Sequence, residues 1–164
     1  MHVAILGTYP PTQCGIATFT ADVEASLRKH DTEVTVIPVS PDPTDDPDQI
    51  VRDDAESYAA AARRINASGC DVVLVQHEFG IFGGIAGEHV LRFVENLSVP
   101  YVVTLHTVLP RYDDEQSPVI RALCRNAATV TVFTSSARRL MLDQSIVPAR
   151  FLQVPIRREV LTVK

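Results

Sequence analysis

The strongest constraint on this chain is an alternation: short β-branched, apolar runs recur between longer segments whose apolar residues fall at helical spacing. Val3–Leu6 is a strand ending at Gly7. After a Pro-rich loop, Ile16–Arg28 carries Ile16, Phe19, Val23 and Leu27 along one helical stripe. Glu33–Val39 is a second strand, followed by a Pro- and Asp-rich loop over Ser40–Asp48 with no core-facing residues, and Ile50–Arg52 forms a short third strand. Ala55–Ala67 places Tyr58, Ala62 and Ile65 on one side of a helix closed by Ser68-Gly69. The clearest buried strand is Asp71–Gln76. A helix over Glu88–Leu97 and a strand over Tyr101–Leu105 follow. Then come a helix from Pro118 to about Asn126, a strand over Thr129–Phe133, a helix capped by Ser135 or Ser136 that runs to about Gln144, and a last strand over Phe151–Val154.

Continuous apolar strands separated by helices require a parallel sheet covered on both faces, joined by right-handed crossovers. The expected fold is therefore α/β, a doubly wound, Rossmann-like sandwich. A chain of 164 residues buries enough apolar surface for one such domain without disulfides or metal. Cys14, Cys70 and Cys124 are odd in number and contain no C-x-x-C pair, so they read as reduced thiols.

The formal net charge of -5 argues against a dedicated nucleic-acid binder, whose affinity comes from clustered Lys and Arg. The apolar N-terminal run lacks a basic leader and no later run approaches a membrane span, so the expected location is the cytoplasm. The acidic stretch from Asp42 to Glu56 reads as a solvated face. Arg63-Arg64, Arg138-Arg139 and Arg157-Arg158 read as solvated pairs that leave peripheral contact with the inner membrane face open.

In an open parallel sheet, ligands bind outside the carboxyl ends of the strands, so chemistry is sought in the loops that follow them. Gly7-Thr8-Tyr9-Pro10-Pro11-Thr12-Gln13-Cys14-Gly15-Ile16 leads into a helix whose N-terminal N–H groups suit a phosphate, with Gly15 permitting close approach. It is neither G-x-G-x-x-G nor G-x-x-x-x-G-K-[ST], and its prolines and glycines also suffice to shape a turn. Cys14, near the helix start, reads as a small packing residue. The loop Gln76-His77-Glu78-Phe79-Gly80-Ile81-Phe82-Gly83-Gly84 brings an imidazole that can donate to a hydroxyl and a carboxylate that can accept from one. His77 and Glu78 serve equally well as loop braces. Thr104-Leu105-His106-Thr107 places a further His on the same expected rim. The spacing of His77, Glu78 and His106 is not H-E-x-x-H and no third ligand is evident, so no metal site is expected. No G-x-S-x-G elbow marks a nucleophilic serine.

Together, Tyr9-Pro10-Pro11-x-x-Cys14-Gly15-Ile16-Ala17, the Gln76-His77-Glu78 loop and Leu105-His106-Thr107 resemble the N-terminal domain of family-4 glycosyltransferases, retaining enzymes of the GT-B fold. The resemblance implies that the chain is the acceptor-side half of an enzyme transferring a sugar from a nucleotide-sugar donor to a glycan, lipid or small molecule. It implies no cofactor and no metal. By the same resemblance Gly15, with Cys14 beside it, lies against the donor diphosphate, His106 approaches the donor sugar as the catalytic residue, and His77, Glu78 and Thr107 line the substrate cleft. Residues 1–155 would form the N-terminal domain and 156–164 the start of an interdomain linker or a tail. The C-terminal donor-binding domain, which carries the family's paired glutamates, would be absent, leaving the isolated chain inactive. Two departures stand out. Cys14-Gly15 replaces the two glycines often found in the first loop, and Val154-Pro155-Ile156-Arg157-Arg158-Glu159 replaces Ile-Pro-His-Gly. A standalone noncatalytic module binding a glycan or a protein, and a different GT-B-like or flavodoxin-like enzyme with another phosphorylated ligand, remain as alternatives.

Overall fold

The computed structural model describes residues 1–146 and 151–153. Seven strands, β1 (His2–Gly7), β2 (Glu33–Ser40), β3 (Ile50–Val51), β4 (Val72–His77), β5 (Tyr101–Leu105), β6 (Thr129–Val132) and β7 (Phe151–Gln153), form one sheet in the order β3-β2-β1-β4-β5-β6-β7. Every pairing is parallel. The helices are α1 (Gly15–Arg28), α2 (Ala55–Ala67), α3 (His89–Glu95), α4 (Gln116–Arg125) and α5 (Ser135–Asp143). The expected doubly wound α/β sandwich is the fold observed. Val154 and the expected linker at 156–164 lie outside the described residues.

Strand alternation divides the core. On one face Ala4, Leu6, Ile37, Val39, Val73, Val75, Val103 and Leu105 pack against Tyr58, Ala62 and Ile65 of α2, Phe93 of α3, Ile120 and Leu123 of α4 and Met141 of α5. On the other, Val3, Ile5 and Val34 pack with Val23 and Leu27 of α1. This follows from the winding: β1 to β2 moves one way along the sheet and β4 through β7 the other, so right-handed crossovers place α1 on the face opposite the remaining helices. The direction reverses between β1 and β4, which makes the carboxyl ends of those strands the topological switch point where a crevice opens.

Several helix starts differ from the sequence expectation for local reasons. Thr134, not Ser135 or Ser136, caps α5, because its backbone is extended and its Oγ1 accepts the Ala137 N–H at 3.0 Å. Helix α4 begins two residues before Pro118, where Asp113 Oδ1 accepts the N–H groups of Glu115 and Gln116 at 3.0 and 2.7 Å. Helix α3 starts one residue later than expected, after a 3-10 turn at Ile85–Gly87 around which Gly84, Ala86 and Gly87 adopt positive φ, and it ends at Glu95, with Asn96 as its C-cap. Among the described residues no helix is long and apolar enough to cross a membrane.

Candidate functional site

The loops after β1, β4 and β5 meet at the switch point because the strands that carry them are neighbours. In the first, Cys14 is exposed and caps α1: its Sγ accepts the Ala17 N–H at 3.3 Å and lies 3.1 Å from Thr8 Oγ1. It is therefore a cap rather than the expected packing residue. Desolvation pushes its thiol pKa up, but the hydrogen bonds from Thr8 and from backbone N–H groups at the helix start outweigh this, leaving it below the usual thiol range. Gly15 is exposed, and a Cβ there would meet nothing within 4 Å, so a ligand can reach the backbone. Tyr9 pins the loop to α1 through a hydrogen bond from its hydroxyl to the Glu24 carboxylate, which in turn pairs with Arg28 at 2.9 Å.

The second loop departs more from expectation. Strand β4 continues through His77, so the two-residue period that sends Val73 and Val75 into the core sends His77 with them. Its ring is fully buried against Phe79 and Phe82, with centroids 5.1 and 5.9 Å away, and neither ring nitrogen has a hydrogen-bond partner. Burial, with a smaller contribution from the neighbouring His106, lowers its pKa to about 4, so it is neutral at pH 7. His77 thus reaches the rim with its backbone, where its carbonyl accepts the His106 N–H at 3.0 Å, and its ring faces away. Glu78, half-buried, accepts the Phe79 N–H at 2.9 Å and takes a short hydrogen bond from the Thr107 hydroxyl, joining the second loop to the third.

The rest of the second loop is held from below. Tyr58, wholly buried in α2, donates to Arg52 O at 2.8 Å and accepts the Gly83 N–H at 3.1 Å. A Cβ at Gly83 would lie 2.0 Å from Arg52 O, so only glycine permits this approach.

His106 occupies the opposite parity from His77 and projects on the α1 face. Phe19 of α1 meets its ring edge-on at 4.9 Å, and Phe133, just past β6, lies at 5.2 Å. Its Nε2 lies within hydrogen-bond distance of Gln76 Oε1, at 2.9 Å. Partial burial lowers its pKa, and the Glu78 carboxylate opposes that shift only in part. A cavity of about 350 Å3 opens beside it, lined by His106, Thr107, Val108, Phe133, Thr134 and Ser136 among others. A second cavity of about 320 Å3, at Glu88, His89 and Arg92, lies on the α3 flank and contains none of the rim residues.

The structure therefore brings Cys14, Gly15, Glu78, His106 and Thr107 to one edge of the sheet and turns the His77 ring inward. The sequence places Phe19 and Tyr58 on apolar helix faces, Phe133 at a strand end and Gln76 beside His77, and in itself assigns none of the four a part in shaping the site. Their signal is parity: Gln76 and His106 share a sheet face with Gly7 and α1. Among the described residues no three His, Cys, Asp or Glu side chains gather as metal ligands. Arg63 and Arg64 are taken up by Glu56 and Asp48 at 2.8 and 3.7 Å, in exposed pairs worth little to stability.

A parallel sheet of this order with a polar rim at its switch point defines a Rossmann-like, doubly wound domain. Residues 14–157 match the model of the glycosyl transferase 4-like domain, and the chain belongs to that family. No curated protein matches it. An alpha-glucosyltransferase solved with UDP-glucose and DNA containing an abasic site is similar at a TM-score of 0.64 and 17% identity, over 95% of this chain and 43% of that one. An alpha-glucosyltransferase solved with UDP and a 13-mer DNA containing an HMU base gives 0.63 and 16%, with the same coverage. An alpha-glucosyltransferase complex with UDP gives 0.57 and 16%, over 87% of this chain and 38% of that one. At these identities the likeness is one of fold. The chain spans less than half the length of these structures.

Proposed function

We propose that this chain is the acceptor-side half of a retaining, metal-independent glycosyltransferase that acts in the cytoplasm, and that it is inactive without a second Rossmann-like half. The observation that carries the reading is the convergence of Gly15, Glu78, His106 and Thr107 on the switch-point rim of a glycosyl transferase 4-like domain. The start of α1 offers a fourteen-residue helix dipole and the unobstructed backbone of Gly15 to a donor diphosphate. Cys14 already uses the Ala17 N–H, so the phosphate would be met by the positions before it.

His106, neutral at pH 7, would hydrogen-bond a hydroxyl of the donor sugar without adding charge next to the reacting carbon. The Glu78–Thr107 pair would orient acceptor hydroxyls. His77 supports the rim from the core and is given no ligand contact. The DNA in the solved neighbours is not carried over, because a net charge of -5 suits a neutral acceptor better than a polyanion.

Reading the source gene past the codon for Lys164 tests this assignment. It predicts a second α/β half bearing the family's paired glutamates. A stop codon at that point would overturn the two-half reading and favour a noncatalytic module that binds a glycan or protein through the same rim.

A further inference from the structure

We infer that Gln76 is a positioning residue that fixes His106 as its Nε2–H tautomer, so that the site presents Nδ1 of this imidazole as a hydrogen-bond acceptor. Gln76 is 2% exposed, and its carboxamide oxygen lies 2.9 Å from His106 Nε2. A carbonyl oxygen only accepts, so the proton of the neutral ring must sit on Nε2. Among the described residues no hydrogen bond reaches Nδ1, which is left for a ligand hydroxyl to donate to.

The surroundings are arranged for this contact. A leucine of similar size would fill the space beneath His106 without a buried polar group to satisfy, whereas a buried amide is costly unless it is hydrogen-bonded. Gly7 makes room: a Cβ there would come within 3.0 Å of Gln76 Cβ and 3.4 Å of its Cγ. Phe19 from α1 and Phe133 beyond β6 close on the ring and are uncharged, and the neighbouring titratable groups are Glu78 and His77. Ring orientation is thus set by aromatic contacts and proton placement by Gln76. A donor or acceptor hydroxyl would be bound as a donor to His106 rather than as an acceptor from it. That consequence for transfer rests on the glycosyltransferase reading, but the tautomer does not.

The test is long-range 15N–1H NMR of the imidazoles in the labelled chain. The wild type should show His106 Nδ1 at an unprotonated, pyridine-like shift and Nε2 carrying a proton protected from exchange. Gln76→Leu should remove that protection and move both nitrogens toward a tautomer mixture. Gly7→Ala, which displaces Gln76 without altering it, should do the same and covers the case in which Gln76→Leu does not fold. Gln76→Glu should keep the tautomer and raise the His106 titration midpoint by about 1–3 pH units, as a carboxylate in contact does. A wild-type Nδ1–H tautomer, or imidazole shifts unchanged in Gln76→Leu, would overturn the inference even if the protein transfers sugar. A failure of the transferase reading would leave these spectra as described.

Discussion

His77 and His106 lie on adjacent strands at opposite parity, and their pKa values are lowered to different ends. His106 keeps a hydrogen bond and a cavity beside it; His77 has aromatic neighbours and no partner. The folded protein holds His77 neutral down to about 4, whereas the unfolded chain takes up that proton near 6.5. Between those values the unfolded state carries more protons, so stability is full above pH 6.5 and falls as the pH drops toward 4. The loss from this residue is about 3 kcal/mol, with a further loss in the same direction from His106. Urea unfolding between pH 7.5 and 4.5 should show that slope, and His77→Phe, which suits the aromatic surroundings, should flatten most of it. An unchanged slope in the variant would mean that other groups drive the acid sensitivity.

At the scale of elements, the loop between β4 and α3 owes its shape to a helix it does not belong to. Removing the Tyr58 hydroxyl strands the Gly83 N–H in the interior, and Tyr58→Phe should cost about 1–3 kcal/mol. Thermal unfolding measures that loss, and hydrogen exchange should place it at residues 78–88. A variant as stable as the wild type would remove Tyr58 from the account. This anchor was not legible in the sequence, which placed Tyr58 correctly on the inner side of a helix and could say nothing of a partner twenty-five residues away. Strand β4 shows a related gap. Ending the strand at Gln76 made His77 a loop residue free to face a ligand, and one more residue of pairing turned it into the core. By contrast, Gly15 and His106 were legible because a glycine before a helix and a polar residue after an apolar strand carry positional meaning without tertiary detail. The cap residues Thr134 and Asp113 were missed because several Ser, Thr and Asp compete within each loop, and only backbone conformation selects among them.

For the whole molecule, the alternation of strands and helices leaves few topologies, and the reversal between β1 and β4 then determines which loops converge. The family match and the fold likeness agree with that derivation, while the coverage of less than half of each solved neighbour leaves room for a second domain in any active enzyme. On the proposed reading, catalysis needs groups that bind the transition state more tightly than the substrate from both sides of a closed cleft, and this chain would supply one side. The most direct measurement is sugar transfer from a nucleotide-sugar donor by the complete gene product, compared with its His106→Ala variant. Transfer by the parent and a fall of about 100-fold in the variant, with an unchanged melting temperature, is the result this account predicts. Equal transfer by the two proteins would contradict it.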